Sequence, residues 1–417
     1  MSSPNAEIRA GFIPLLDAAP LIAARELGFA ADEGLILTLT RETSWATIRD
    51  RLAVGHLDVA HALAPLPIAA NLGLGPLPGN LVVPMAFGCG ANTVTVSHEI
   101  WSALAEQGAE PDLDAAGTLR ALVRVVATRR QRAMAPLVFG IVHQHSAHRY
   151  QLAYWLAAGR IVPGRDVEFV VVPPSLMPAA LANGGIDGFC AGEPWGSLAA
   201  AEGSGRMVTT NAHIWRSSPE KVLAARDAWV SADAAKVDAL IRSLYRACAW
   251  CDAPHNRAEL ADLLARPEYV ALPAAVLAPS LSRRLLAADG ALRDVPALLN
   301  FAGGAASFPW TSHALWFFSQ MVRWDEAELS DANVRIARHT YRPDIYRRAL
   351  ASLGTLLPSA NAKVEGALRV DTGVGSPSGR LILGKDGFFD DMIFDPDLIA
   401  PYIETLRAGD TSDIACG

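Results

Sequence analysis

"IRAGFIPLLDAAPLIAARELGFA", residues 8–30, reads as a strand, a turn and a helix in immediate succession. The strand runs into a turn at Pro14. The helix carries Pro20 in its first turn, where a missing N–H costs nothing, and Gly28 near its C-terminus. Working outward, "LILTLTRET" (residues 35–43) is a second strand. "SWATIRDRLAVG" (residues 44–55) is a helix with Ser44 as N-cap and Gly55 at its end. "HLDVAHALAP", "LVVPMAF" and "TVTVS" supply further strands. Strands alternating with helices imply a mostly parallel sheet covered by helices, so the fold class is α/β.

A second run of the same kind begins near His98. "PLVFGIVH", "DVEFVVVPP", "IDGFCAG" and "RMVTT" are strands, with helices such as "SAHRYQLAYWLAAG" between them. Long helices follow "KVLAARDAWV", and after Ser330 the chain reads as loop-rich, with "DTGVGSPSGRLILGKDG" in its middle. The expected organisation is two α/β lobes and an extension. Residues 1–94 and 218–330 form the first lobe, 95–217 the second, and 331–417 pack on the first. A cleft between two such lobes is where small ligands sit.

Composition narrows the function. Apolar residues make up 51% of the 417 and charged residues 19%, enough to fill large cores. A net charge of −7 gives no footprint for nucleic acid or anionic lipid. The basic run Arg124–Arg132 reads as a solvated helix face. The cysteines Cys89, Cys190, Cys248, Cys251 and Cys416 are odd in number and lack a framework spacing, which fits a reducing compartment. Cys248 and Cys251 read as helix thiols. No apolar run approaches the ~20 residues that span a bilayer. "MSSPNAE" has no basic or apolar leader character, so the sequence-level expectation is a cytoplasmic protein.

Enzyme signatures are missing: no G-x-S-x-G elbow, no phosphate loop ending in Lys-Ser/Thr, no H-E-x-x-H. "LGLGPLPG" and "GCGANT" do not open helices as a dinucleotide site requires, and read as turns. In "HQHSAH", Ser146 is a helix N-cap and leaves His143 and His145 in the preceding loop. With no carboxylate nearby in sequence, no metal and no cofactor are expected.

The specific signal lies in "GFIPLLDAAPLIAARELGF", "TSWATIRDRLAVGHLDVAHALAPLP", "HRYQLAYWLAAGRI", "VVPPSLMPAALANGGIDGFCAGEPW" and "SFPWTSHALWFFSQMVRW". In this order, from about residue 7 to residue 350, the chain strongly resembles the nitrate/bicarbonate-binding proteins of ABC importers. The resemblance implies a bilobed, type II periplasmic-binding-protein (Venus-flytrap) fold with one small anion in the cleft. It also implies a ligand shell of Trp45 at the "SW" helix start, Asn92 where relatives carry Gln, His148 before "YWLA", Pro174 of "VVPP", Gly192 of "GEPW" and Lys221 of "PEKxL".

Singly, these residues read otherwise: Trp45 as core, His148 as a helix-end histidine, Lys221 as a surface lysine, Glu193 as a helix cap or the mate of a base. Together they make physical sense. Trp45 and His148 stand at helix starts, which favour anions; Lys221 adds a full charge with three donors; Gly192 lets backbone approach. The expected socket is therefore electropositive and nearly all donors. Bicarbonate carries its own hydroxyl donor, and bicarbonate-binding relatives place an acid where Lys221 stands, so Lys221 favours nitrate or nitrite. With the cytoplasmic expectation, the resemblance narrows to nitrate/nitrite sensors that control an ANTAR-domain RNA-binding antiterminator, with no direct nucleic-acid contact and no membrane. The alternatives are an importer's substrate-binding component and an enzyme of thiamin-precursor synthesis on the same fold.

Overall fold

The computed structural model describes residues 6–77 and 79–410. The N-terminal residues read for a leader, Met1–Asn5, and Cys416 lie outside the described residues. In chain order the strands are β1 (Ala6–Phe12), β2 (Leu35–Arg41), β3 (Val59–Leu63), β4 (Leu81–Ala86), β5 (Cys89–Gly90), β6 (Asn92–Val96), β7 (Leu137–Ile141), β8 (Val167–Val171), β9 (Gly188–Gly192), β10 (Arg206–Thr210) and β11 (Lys221–Arg226).

Two five-stranded sheets result, one per lobe. The first has the order β2-β1-β3-β11-β4 and the second β10-β6-β9-β7-β8. β1 pairs in parallel with β2 and β3, whereas β11 runs antiparallel between β3 and β4. In the second sheet β7 pairs in parallel with β8 and β9, and β6 is antiparallel to β9. Every residue of β3, β6 and β9 is buried, as expected of strands covered on both faces. This is the bilobed α/β architecture.

The chain crosses between the lobes twice, just before Asn92 and between Thr210 and Lys221. β6 lies wholly in the second sheet, so the crossover falls slightly earlier than the boundary expected at residue 94. Asn211 ties the crossings together: its Oδ1 accepts from Asn92 N at 3.1 Å, and its Nδ2 donates to Ser218 Oγ at 2.8 Å. Gly90 makes the first crossing possible. Its φ is +90°, and a Cβ there would stand 2.1 Å from Leu298 O. Gly90→Ala is expected to cost about 2 kcal/mol or more, from left-handed backbone strain plus the clash, read as a fall in thermal midpoint.

The region after Ser330 is more regular than the sequence suggested. Ser330 caps a helix over Asp331–Thr340, accepting from Asn333 N, and Pro343 opens another over Pro343–Leu350. A hairpin (Thr372–Ser376 with Gly379–Leu383) and a helix over Ile399–Asp410 complete the tail. The tail also reaches the second lobe. Tyr154 OH donates to Asp390, Trp215 stacks on Phe388 at 4.6 Å, and Phe389 N donates to Ile214 O. The expected seat on the first lobe is therefore only part of its footing. One apolar cluster joins Trp45 and Leu63 of the first lobe, Trp155 of the second, and Phe388 and Tyr402 of the tail.

Cys248 and Cys251 are free thiols buried in the helix Ala234–Asp252. Among the described residues no helix is long and apolar enough to cross a membrane.

Candidate binding site between the lobes

Ligands of open α/β sheets sit beyond the carboxyl ends of the strands, and the polar residues of this molecule gather there. Asp17 stands in the turn Leu16–Ala18 after β1, Gly192 closes β9, and His61 lies within β3. Ser44 caps the helix Trp45–Ala53 by accepting from Thr47 N, which fixes Trp45 at its first position. Ser146 caps Ala147–Ala158 in the same way and fixes His148 at its second. Asn92 and Lys221 open β6 and β11, immediately after the two crossings.

These elements converge on one buried cluster. Lys221 is 1% exposed. Its Nζ lies 3.0 Å from Asp17 Oδ2, 2.5 Å from Glu220 Oε1 and 5.3 Å from the centre of the Trp45 ring. Asn92 Nδ2 donates to Glu220 Oε2 at 2.5 Å. His148 Nδ1 lies 3.3 Å from Glu220 Oε1, and His61 Nε2 lies 3.0 Å from Asp17 Oδ1; neither contact has the alignment of a hydrogen bond. Gly192 is paired with Asn92 across the sheet. A Cβ at Gly192 would meet Leu15 of the first lobe at 3.2 Å, so the glycine lets the lobes touch. Leu16 N donates to Glu193 O across the same junction at 2.9 Å.

The structure thus brings Trp45, Asn92, His148, Gly192 and Lys221 together. Pro174 is buried at the start of the turn after β8 and takes no part in these polar contacts. Buried polar groups stand unused at the cluster: the Trp45 Nε1 donor and both ring nitrogens of His148, one a donor and one an acceptor in the neutral ring, have no hydrogen-bond partner among the described residues.

The expectation of a nearly all-donor, electropositive socket is overturned. Asp17 and Glu220 put two buried carboxylates against one ammonium. Burial pushes the Asp17 carboxyl up, but Lys221 and His61 outweigh it and hold it well below the usual range. Burial pushes Glu220 up to about 7, against the pull of Lys221 and Asn92. For Lys221 burial favours the neutral form, yet Asp17 and Glu220 prevail and raise it. Burial pushes both His61 and His148 down, so both rings are neutral at pH 7. One cation therefore faces one full carboxylate and a second that titrates near neutrality.

Asp17, His61 and Glu220 were absent from the expected set. Asp17 carried a readable signal, an acid in the turn after the first parallel strand. Glu193 meets no base among its contacts and sits at the start of the helix Trp195–Ala201, where the backbone of Ser197 hydrogen-bonds its carboxylate, as the helix-cap reading expects. It accepts from Thr93 Oγ1 at 3.0 Å, Ser280 Oγ at 2.7 Å and Ser197 Oγ. His145 Nδ1 lies 3.0 Å from Tyr150 OH and 3.4 Å from Glu326. Among the described residues no three His, Cys, Asp or Glu side chains are grouped to hold a metal ion. One turn along from Trp45, Arg49 lines a cavity of about 220 Å³ shared with His143, Gln144 and His145 of the second lobe.

Two lobes closing on a buried polar cluster define a class, the bilobed binding proteins. Comparison with known proteins gives the family. The NMT1-like family matches residues 2–265, and the chain belongs to it. It is 35% identical over 349 residues to the nitrate import ATP-binding protein NrtC of Synechocystis sp. (82% of this chain). It is 34% identical over 352 residues to the bicarbonate transport ATP-binding protein CmpC of Synechococcus elongatus (84% of this chain). In both cases it spans only half the length of the relative. The crystal structure of the periplasmic nitrate-binding protein NrtA from Synechocystis superposes with a TM-score of 0.83 at 26% identity, covering 97% of this chain and all of that one. The resemblance to nitrate/bicarbonate-binding proteins and the periplasmic-binding-protein fold hold, the fold over 97% of the chain, and these relatives are named as binding and import proteins.

Proposed function

We propose that the chain is a binding protein for a small planar oxyanion, nitrate or nitrite, held between the lobes by Lys221, Asn92, His148, Trp45 and the Gly192 backbone, with Pro174 in the wall. One observation carries this reading. Lys221 of the first lobe and Asn92 and His148 of the second converge on a single carboxylate, that of Glu220. A carboxylate is itself a flat oxyanion, so the position is already built to hold one. The likeness to the nitrate-binding NrtA supports the choice of anion. Calorimetric titration with nitrate, nitrite, bicarbonate and chloride tests it. Saturable heat with nitrate or nitrite, absent with chloride, is expected, and heat with bicarbonate alone would reassign the ligand. Trp45 fluorescence is expected to change on binding, because its ring faces Lys221.

Two roles use such a site. The substrate-binding part of a nitrate importer is the one that the related proteins favour. The cytoplasmic sensor controlling an ANTAR-domain antiterminator is the second, and the lobe-bridging cluster supports it too, since closure on an anion is a two-state signal. Cell fractionation, with a pull-down of an ANTAR protein with and without nitrate, separates them. An exported protein, or a complex indifferent to nitrate and nitrite, removes the sensor.

A further inference from the structure

Glu220 occupies the position that the anion reading needs. Its two oxygens take Lys221 Nζ and Asn92 Nδ2, each at 2.5 Å, and Oε1 stands 3.3 Å from His148 Nδ1. An incoming nitrate would meet donors already engaged by a carboxylate of nearly its own shape. Asp17 already places a full negative charge 3.0 Å from the ammonium, so a nitrate beside an ionised Glu220 would be a third anion on one buried cation, at a severe cost in repulsion.

We propose that Glu220 is an internal stand-in for the anion, and that an oxyanion enters only as Glu220 takes up one proton from solvent and gives up its hold on Lys221 and Asn92, leaving His148 free to join the anion. The inference rests on the anion reading above and adds a regulation to it. The balance is simple: one anion and one proton enter together, so the charge of the buried cluster does not change. Protonated Glu220 becomes a donor and can serve the anion it formerly excluded.

The surroundings leave Glu220 as the group that changes charge near neutrality. From β11 it faces Lys221, whose ammonium is raised and stays charged. From the turn after β1 it faces Asp17, which stays ionised. From the helix Ala147–Ala158 comes His148, which burial keeps neutral, and from β6 comes Asn92, which does not titrate. Cys190 on β9 and Tyr341 also feel its charge; burial pushes both up, and they stay protonated. Glu220 itself is pushed up by burial to about 7.

Nitrate calorimetry from pH 6 to pH 9, in Tris and in HEPES, reads the coupling. In the wild type the affinity is expected to fall about tenfold per pH unit above pH 7, with the two buffers reporting uptake of about one proton per anion at pH 8 to 9. Glu220→Gln is expected to bind nitrate with an affinity independent of pH and with no proton uptake. Wild-type binding that is flat with pH and gives equal heats in both buffers would overturn the proposal while leaving the anion site standing. A steep pH dependence retained by Glu220→Gln would also overturn it. Absence of nitrate and nitrite binding at every pH, in protein folded by circular dichroism, would instead remove the anion reading itself. The wild-type buffer comparison decides the matter even where Glu220→Gln does not fold.

Discussion

Lys221→Met is expected to lose about 3–5 kcal/mol of stability in urea unfolding and to abolish nitrate binding. The loss comes from what remains. Asp17 and Glu220 are both buried, and without the ammonium at 3.0 Å and 2.5 Å two carboxylates face each other with no cation between them. One of them must protonate or drag water inward. Adding Asp17→Asn to Lys221→Met should restore much of the stability, since removing both members of a buried pair is far cheaper than removing one. It should not restore binding. A single Lys221→Met variant as stable as the wild type would show that the carboxylates do not need the ammonium, and the electrostatics of the site would have to be redrawn.

The second large effect lies in the tail. Lys363 resembles Lys221 in setting one ammonium, here part-buried, between two buried carboxylates, Glu365 and, at 2.6 Å, Asp386, with the Trp310 ring 5.9 Å away. Burial pushes the Glu365 carboxyl up, but Lys363 and His313 overcome it and set it at about 2. Its folded pKa is depressed, so its contribution, about 3 kcal/mol, is present above pH 4.5 and lost as pH falls toward 2. Lys363→Met is expected to cost about 3 kcal/mol and to weaken that acid transition. Hydrogen exchange should show the loss first in residues 363–389. Unchanged exchange in that segment would mean that the ammonium does not hold the tail.

The fold was legible because its signals are local. The strand-turn-helix of residues 8–30, the caps Ser44 and Ser146, and the alternation of short strands with helices each depend on neighbours in the chain. That Lys221, Trp45, His148, Asn92 and Gly192 would come together was legible through resemblance and through their places at helix starts and strand ends; that they bind an anion is the proposal above. His61 and the carboxylate of Glu220 were not, and for Asp17 only its place in the turn after the first strand was readable, not its partner. Each acts through contacts between residues far apart in sequence, and nothing in "LLDAAP" says that Asp17 will face a lysine 204 residues away. The same blindness produced the expectation of an all-donor socket: Glu220 precedes Lys221, yet only the tertiary fold turns both side chains into one cluster. The tail helices were passed over because they are short, and their apolar stripes are mixed with arginines.

The tail's seat carries a mechanical consequence. Arg216 N and Phe389 N form backbone hydrogen bonds between residues 387–389 and residues 214–216, the very stretch by which the chain returns from the second lobe to the first. Any opening of the two lobes must bend the chain at this return and at the crossing before Asn92, and the tail lies along the return like a splint. Loosening the splint should ease opening, and by reciprocity an anion that favours the shut form should tighten the splint. If the cleft closes on an anion, its occupancy should be read in the tail as slower amide exchange at residues 387–389.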